Sequence, residues 1–342
     1  MSQHKVAIFG MGRMGKVHLK AALNIGLDII AVCDSRESTS PEVQEILGVK
    51  STLFFNNYHE LIEQVKFDIA IVATTTPERF QILIELLNLD RELRILSEKP
   101  LASNSFDLLR LKCALKESNN KYFAVNHQMR YMQQYSEIRN LIDNGNYGKM
   151  SGMIVAASNI GLGMNVTHYF EAFRWLTSDN DISVTARIED GVLKSPRGEM
   201  YGDFAGWAIA QNSIGQKLFI DFSSNVGHGI ICTYQFEQAK IVINELEGTM
   251  IIYGRQSAYM LEPLSRYGLP GFQDYVSIDL ISLEALSQRV IQSLIELKNF
   301  PTFEDGLIST SLALSALYSS NAGNMPVKWQ GILEKQVSTP WA

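Results

Sequence analysis

Two residues whose surroundings suit acid–base chemistry stand far apart in the chain, Lys99 and His168. Lys99 follows the apolar run Arg94-Ile95-Leu96-Ser97 in Glu98-Lys99-Pro100, and the proline biases its backbone toward an extended shape. In a partly dehydrated crevice beside another positive charge, its ammonium would lose its proton more readily and exchange it with a hydroxyl. Glu98 is placed to orient it or to touch a ribose. His168 lies in Gly163-Met164-Asn165-Val166-Thr167-His168-Tyr169-Phe170-Glu171, where helical spacing puts His168, Glu171 and Trp175 on one face. A cap at Asn165 or Thr167 would set His168 in the first turn of that helix, at the rim of a crevice; a satisfied structural histidine is the other reading. Asn126, Arg130, Asn165, Tyr169 and Arg174 are the polar groups best placed to hold a substrate alongside Lys99 and His168. Arg130 and Arg174 suit a phosphate or carboxylate, or equally a structural ion pair.

The element that must position this chemistry is at the start. Val6-Ala7-Ile8-Phe9 runs straight into Gly10-Met11-Gly12-Arg13-Met14-Gly15, and a helical pattern extends from Arg13 to about Ile25. Strand, glycine turn and helix in that order cradle a pyrophosphate: Gly10 makes the turn, Gly12 lets the backbone approach, and Gly15 allows helix and strand to pack. The free N–H groups of Arg13 and Met14 would face the anion. A second apolar run, Ile29 to Cys33, ends in Asp34, where a ribose 2′-hydroxyl would be bound. A carboxylate there favours NAD, while Ser35 and Arg36 next to it could host the 2′-phosphate of NADP.

Further buried strands are expected at Phe67 to Ala73, Arg94 to Ser97 and Tyr122 to Val125, alternating with amphipathic helices. That alternation predicts a doubly wound parallel sheet covered on both faces. Thr74-Thr75-Thr76-Pro77 follows the first of these strands, with Pro77 in the first turn of a helix. Gly10, Asp34, Thr75 and Lys99 all fall at strand carboxyl ends, where such sheets bind ligands. Beyond residue 125 the character changes. Period-two runs such as Lys217-Leu218-Phe219-Ile220-Asp221-Phe222 predict an open, mostly antiparallel sheet, followed by helices near 281–298 and 303–320. The expected domains are therefore 1–125, binding NAD(P), and 126–342, binding substrate and forming oligomers. The Gly-, Tyr- and Pro-rich stretch 254–280 reads as an arm or a lid.

The 342 residues carry a net charge of −6 without Lys/Arg runs, which argues against a nucleic-acid or anionic-membrane partner. No apolar run approaches the ~20 residues of a membrane span, and a first strand near residue 5 leaves no room for a signal peptide. Cys33, Cys113 and Cys232 are odd in number and scattered, as expected for reduced core thiols of a cytoplasmic protein. No His, Cys or carboxylate spacing suggests a metal, and no Gly-x-Ser-x-Gly supports serine-hydrolase chemistry.

The joint occurrence of the glycine turn, Thr75-Thr76-Pro77, Glu98-Lys99-Pro100 and the His168 segment resembles the glucose-fructose oxidoreductase / inositol dehydrogenase / rhizopine catabolism family. Asn144-Gly145-Asn146-Tyr147-Gly148 and Phe303-Glu304-Asp305-Gly306 extend the resemblance over nearly the whole chain. It implies a Rossmann domain followed by an α/β domain whose open sheet joins subunits into a homo-oligomer. It also implies hydride transfer between a nicotinamide and a carbinol carbon of a sugar, inositol or nucleotide-linked sugar, with Lys99 as proton relay and His168 on the reacting hydroxyl. Where many members have an aspartate four residues before the histidine, this chain has Met164; three residues after it stands Glu171. The resemblance also covers an NAD-dependent redox glycosidase and a non-catalytic, cofactor-sensing regulator like the yeast galactose repressor.

Overall fold

The computed structural model describes residues 4–36, 40–48, 52–89, 92–194, 198–263 and 268–342. In the first domain β1 (Lys5–Phe9), β2 (Asp28–Cys33), β3 (Leu53–Phe55), β4 (Ile69–Val72), β5 (Arg94–Ser97) and β6 (Phe123–Val125) alternate with α1 (Arg13–Asn24), α2 (Ser40–Leu47), α3 (Tyr58–Gln64), α4 (Thr76–Leu87) and α5 (Ser105–Ser118). The strands form one sheet in the order β3-β2-β1-β4-β5-β6 with parallel pairing throughout. Strand periodicity explains the apolar runs. Val6 and Ile8 point into a core with Leu19 and Ala22 of α1, while Ala7 and Phe9 point into another with Phe80 and Leu83 of α4. The strand order reverses between β1 and β4, which opens a crevice at their carboxyl ends.

The second domain begins with a 3₁₀ turn, Gln128–Tyr131, and α6 (Gln133–Asn144). Then come β7 (Met150–Ala157), a π-helical turn (Leu162–Val166), α7 (Thr167–Thr177), β8 (Ile182–Ile188), β9 (Leu193–Lys194), β10 (Gly202–Asp203), β11 (Gly206–Asn212), β12 (Lys217–Asp221), β13 (Ile230–Phe236), β14 (Ala239–Asn244), β15 (Thr249–Arg255) and β16 (Gly271–Ser277). The chain closes with α8 (Leu283–Glu296), α9 (Phe303–Asn321), β17 (Val327–Lys328) and α10 (Trp329–Ile332). Nine strands make a sheet in the order β16-β15-β14-β13-β7-β12-β11-β8-β17. Only β7 and β12 run parallel. Helices α7 and α9 cover one face, and α9 is so enclosed that Ser309, Thr310, Ser311 and Ser315 are fully buried along with its leucines. A reciprocal capping box, Thr302 with Asp305, fixes where α9 starts.

Several expectations change here. The stretch 254–280 is neither a free arm nor a lid over its described residues, because β15 and β16 pair as an antiparallel hairpin at the edge of the large sheet. Residues 264–267 within it lie outside the described residues. Strand β8, which the alternation pattern did not single out, packs against α9 and is central to the sheet's far half. Packing also reaches across residue 125. Helix α8 returns to the first domain, where Val290, Ile291 and Leu294 join the core of α1 and Ser287 Oγ lies 2.6 Å from His18 Nδ1. Of the three cysteines, Cys33 and Cys232 are buried but Cys113 is exposed; all three are free thiols. Among the described residues no helix is long and apolar enough to cross a membrane.

Candidate active site

The glycine turn is built as the residue types require. Gly10 has φ +89°, and a Cβ there would sit 2.8 Å from the backbone of Ala73 and Thr74. A Cβ on Gly15 would sit 1.8 Å from the Gly10 carbonyl oxygen, so helix α1 packs on the turn only because that atom is missing. Gly12 differs: its Cβ would meet nothing closer than Arg36 Nη2 at 3.9 Å. Its smallness therefore serves the space outside the protein. Gly12 caps α1 without a side-chain hydrogen bond, and no acidic residue stands in the first turn. The N–H groups at Arg13 and Met14 are thus left for an anion, and the turn fits a dinucleotide pyrophosphate.

At the end of β2, Asp34 Oδ2 accepts the Met11 N–H at 2.7 Å, and Arg36 chelates the same carboxylate through Nε and Nη2, both at 3.0 Å. Burial works to raise the carboxyl's pKa, but the Arg36 and Met11 donors overcome it and hold it below the usual range. Asp34 is thus an anion at neutral pH where a ribose would lie. Ser35 and Arg36 are exposed beside it. Thr75 opens α4 and its hydroxyl donates to Glu78, Pro77 follows exposed in the first turn, and Thr76 is buried with its hydroxyl on the Ala342 carbonyl at 2.6 Å.

Lys99 follows β5 and faces the second domain, where its ammonium donates to the carbonyl oxygen of Met164 in the π-helical turn. Lys99, Met164, Asn159, Lys194, Asp203 and Trp341 are among the residues around a pocket of about 790 Å³, counting its open mouth. Glu98 turns the other way. Its Oε1 accepts from His18 Nε2 at 2.9 Å and from Asn126 Nδ2 at 2.7 Å, 6% exposed, so it braces the strand end rather than reaching a ribose. Burial pushes Glu98 up, yet His18 and the nearby cations bring its pKa down to about 2.

His168 stands in the first turn of α7, as expected, but nothing caps that helix through a side chain. The π-helical turn runs directly into it, Thr167 Oγ1 bonds back to the Gly163 carbonyl, and Asn165 Nδ2 donates to the Ile160 carbonyl. The His168 ring lies edge-on to His127 with centroids 5.5 Å apart, and its Nδ1 is buried without a hydrogen-bond partner among the described residues. Burial, then the Lys99 charge, hold His168 well below the usual histidine range. His127, fully buried with Nε2 2.8 Å from Ser309 Oγ, is pushed down to about 3 by burial and Arg130.

Three residues read as substrate-holding are engaged elsewhere. Arg130 and Arg174 face Glu171 and Asp305 in a buried four-charge cluster, Arg130 Nη2 being 2.7 Å from Asp305 and Arg174 bonding the same carboxylate. Tyr169 gives its hydroxyl to Glu245 at 2.7 Å inside the domain core. Of the two readings open for the arginines, the structural ion pair is the one the side chains adopt. The pocket also holds residues that spacing did not mark. Asp203 is buried on its wall, and its carboxylate accepts N–H groups from Gly163, Met164 and Phe204 and the Trp341 indole. Burial raises its pKa, against those N–H donors and the Lys99 charge. Asp203 and Trp341 lie some 40 and 180 positions from the His168 segment, roughly, and only tertiary contact could have paired them with it.

Fold and site together define a two-domain α/β protein whose first domain is shaped for a dinucleotide. Residues 4–127 match the model of an oxidoreductase family with an NAD-binding Rossmann fold. That is the family which the glycine turn and Glu98-Lys99-Pro100 resemble, and the match covers the first domain. Inositol 2-dehydrogenase of Salmonella paratyphi B is 25% identical over 147 residues, 42% of this chain and 43% of that one. The chain thus spans less than half the length of that relative. The structure of levoglucosan dehydrogenase in complex with NADH and levoglucosan superposes with a TM-score of 0.79 at 15% identity, covering 96% of this chain and 99% of that one. The transcriptional regulator Gal80p of Kluyveromyces lactis does so with 0.77 at 14% identity, covering 97% and 92%. At such identities the likeness is one of fold.

Proposed function

We propose that this protein is a dehydrogenase that moves a hydride between NAD(H) and a carbinol carbon of a sugar or inositol, with Lys99 relaying the hydroxyl proton. The observation that carries the reading is the pocket itself. It opens just beyond the end of β5, with Lys99 and Pro100 on one wall and the turn leading into α7 on the other. The relatives' names, inositol 2-dehydrogenase and levoglucosan dehydrogenase, support the substrate class. NAD supplies the hydride acceptor, held by Gly10 to Gly15 and by Asp34, with Thr75, Thr76 and Pro77 at the end of β4. The ionised Asp34 supports NAD as the first choice, and Arg36, which chelates it, is the group that would meet the phosphate of NADP.

In this reading Lys99 exchanges its link to the Met164 carbonyl for one to the substrate hydroxyl and takes up its proton. His168, kept neutral by burial, offers the unpartnered Nδ1 to the same hydroxyl. Asn165 flanks it. Glu98 and Asn126 hold the strand end on which Lys99 is mounted. A second copy of the chain covers the outer face of the large sheet, where a row apolar but for Thr233 crosses seven strands in register.

The test is reduced-nicotinamide absorbance on mixing protein and NAD with a panel of sugars, inositols and nucleotide-sugars. One class should give a signal, and Lys99→Met should lower turnover at least ~100-fold, as loss of a general base does, with NAD affinity nearly unchanged. A variant that instead loses NAD affinity overturns the role given to Lys99. Silence across the panel with NAD bound would turn the reading to the regulator whose fold this chain shares; glycoside cleavage without net NADH would turn it to the redox glycosidase.

A further inference from the structure

One wall of the pocket carries a buried carboxylate beside the turn that leads into α7. Asp203, at the end of β10, is 6% exposed and the one acidic side chain among the described residues lining the pocket. Its Oδ1 accepts the N–H of Gly163 at 2.8 Å, of Phe204 at 2.9 Å and of the Trp341 indole at 3.0 Å; Oδ2 accepts the N–H of Met164 at 2.8 Å. Four donors converging on one carboxylate form an anion nest that fixes it and favours its charged form against the burial that raises its pKa. Two of them, Gly163 and Met164, belong to the π-helical turn. The carbonyl of Met164, on the far side of the same residue, accepts the Lys99 ammonium.

We propose that Asp203 is the positioning residue for Lys99: it fixes the turn that carries the lysine's acceptor, and its charge sets the pH at which that lysine gives up its proton. This rests on the reading of Lys99 as proton relay.

Glu98 and Ala342 also stand near Lys99, and Asp203 differs from both in holding the turn that carries the Met164 carbonyl. Glu98, beside it, directs its carboxylate to His18 and Asn126. His127 and His168 are held neutral by burial, and Lys194 on β9, across the pocket, carries a like charge. Removing Asp203's charge therefore removes one carboxylate on the pocket wall that favours the protonated lysine.

The test needs no turnover. Lysines are reductively ¹³C-methylated in the intact chain, the Lys99 resonance is identified by its loss in Lys99→Arg, and its titration is followed in the parent and in Asp203→Asn. The midpoint should fall by about one pH unit, the effect of losing one nearby opposite charge. Trp341→Phe, which removes a donor but leaves the carboxylate, should leave it in place. The reciprocal measurement leaves Asp203 untouched, so it stands even if Asp203→Asn does not fold: Lys99→Met should raise the Asp203 side-chain ¹³C titration midpoint by about as much, since coupling between two sites is mutual. If neither midpoint moves, the proposal is overturned. If both move and no sugar is oxidised, the coupling stands and the dehydrogenase reading falls by itself.

Discussion

At Gly15 and Gly12 the same added methyl group meets two different fates. On Gly15 it would lie 1.8 Å from a backbone oxygen that cannot swing away, so Gly15→Ala should lower stability by ~1–3 kcal/mol, the usual cost of overpacking. On Gly12 it meets only the end of Arg36, so Gly12→Ala should leave the melting temperature within a degree or two while weakening NAD at least ~10-fold, roughly the ~1.4 kcal/mol of one impaired contact. Thermal melts and a fluorescence titration with NAD separate the two. Unaltered NAD affinity in Gly12→Ala would remove the pyrophosphate from this turn. These residues could be read from the chain because their roles are local: turn, cap and strand end are consecutive. The role of Asp203 could not, for its four donors come from the π-helical turn, its own neighbour and the chain's penultimate residue.

Elements were legible where one pattern decides them. The period-two strands β12 and β14 and the buried run of β4 stand close to where alternation puts them. The π-helical turn was not, because one extra residue per turn leaves no mark in residue type. The pairing of Arg130 with Glu171 and Asp305 was equally hidden, since an arginine near a crevice looks the same whether it waits for a ligand or is already neutralised. The outer face of the large sheet supports a prediction. Ile209 pairs with Phe219, Phe219 with Ile154, Ile154 with Thr233, Thr233 with Val242, Val242 with Ile251, and Ile251 with Tyr275. Phe219 is 39% exposed, Ile154 36% and Tyr275 71%, and the row, apolar but for Thr233, is of the kind subunits bury. Phe219→Lys with Ile154→Lys should convert the proposed oligomer to monomer in analytical ultracentrifugation, with far-UV dichroism unchanged. A parent chain that sediments as a monomer would dismiss the second copy.

Across the whole molecule, the buried titratable groups fix how stability depends on pH. The fold keeps His127 neutral down to about pH 3 and His168 neutral well below its usual range, whereas the unfolded chain protonates both near 6.5. Below about 6.5 the unfolded state binds more protons, so stability is complete above that pH and falls as pH drops, by roughly 1.4 kcal/mol per unit for each histidine. Glu98 acts in the same sense lower down: its carboxyl titrates near 2 in the fold, and what its ionised form contributes is lost as pH falls from about 4.5 toward 2. Urea midpoints measured from pH 8 to pH 5 should decline below 6.5, and His127→Gln should flatten the slope. An equal midpoint at pH 7 and pH 5 would mean these rings are not held neutral.

Helix α8 gives the molecule an order of assembly. It is made after the large sheet, yet Val290, Ile291 and Leu294 complete the core beneath α1, and Ser287 meets the histidine that steadies Glu98. While the chain is being synthesised, the nucleotide half therefore waits with one flank uncovered until nearly all of its partner has left the ribosome. A premature stop anywhere before α8 therefore leaves an open apolar flank on α1 for the cell's quality control to find.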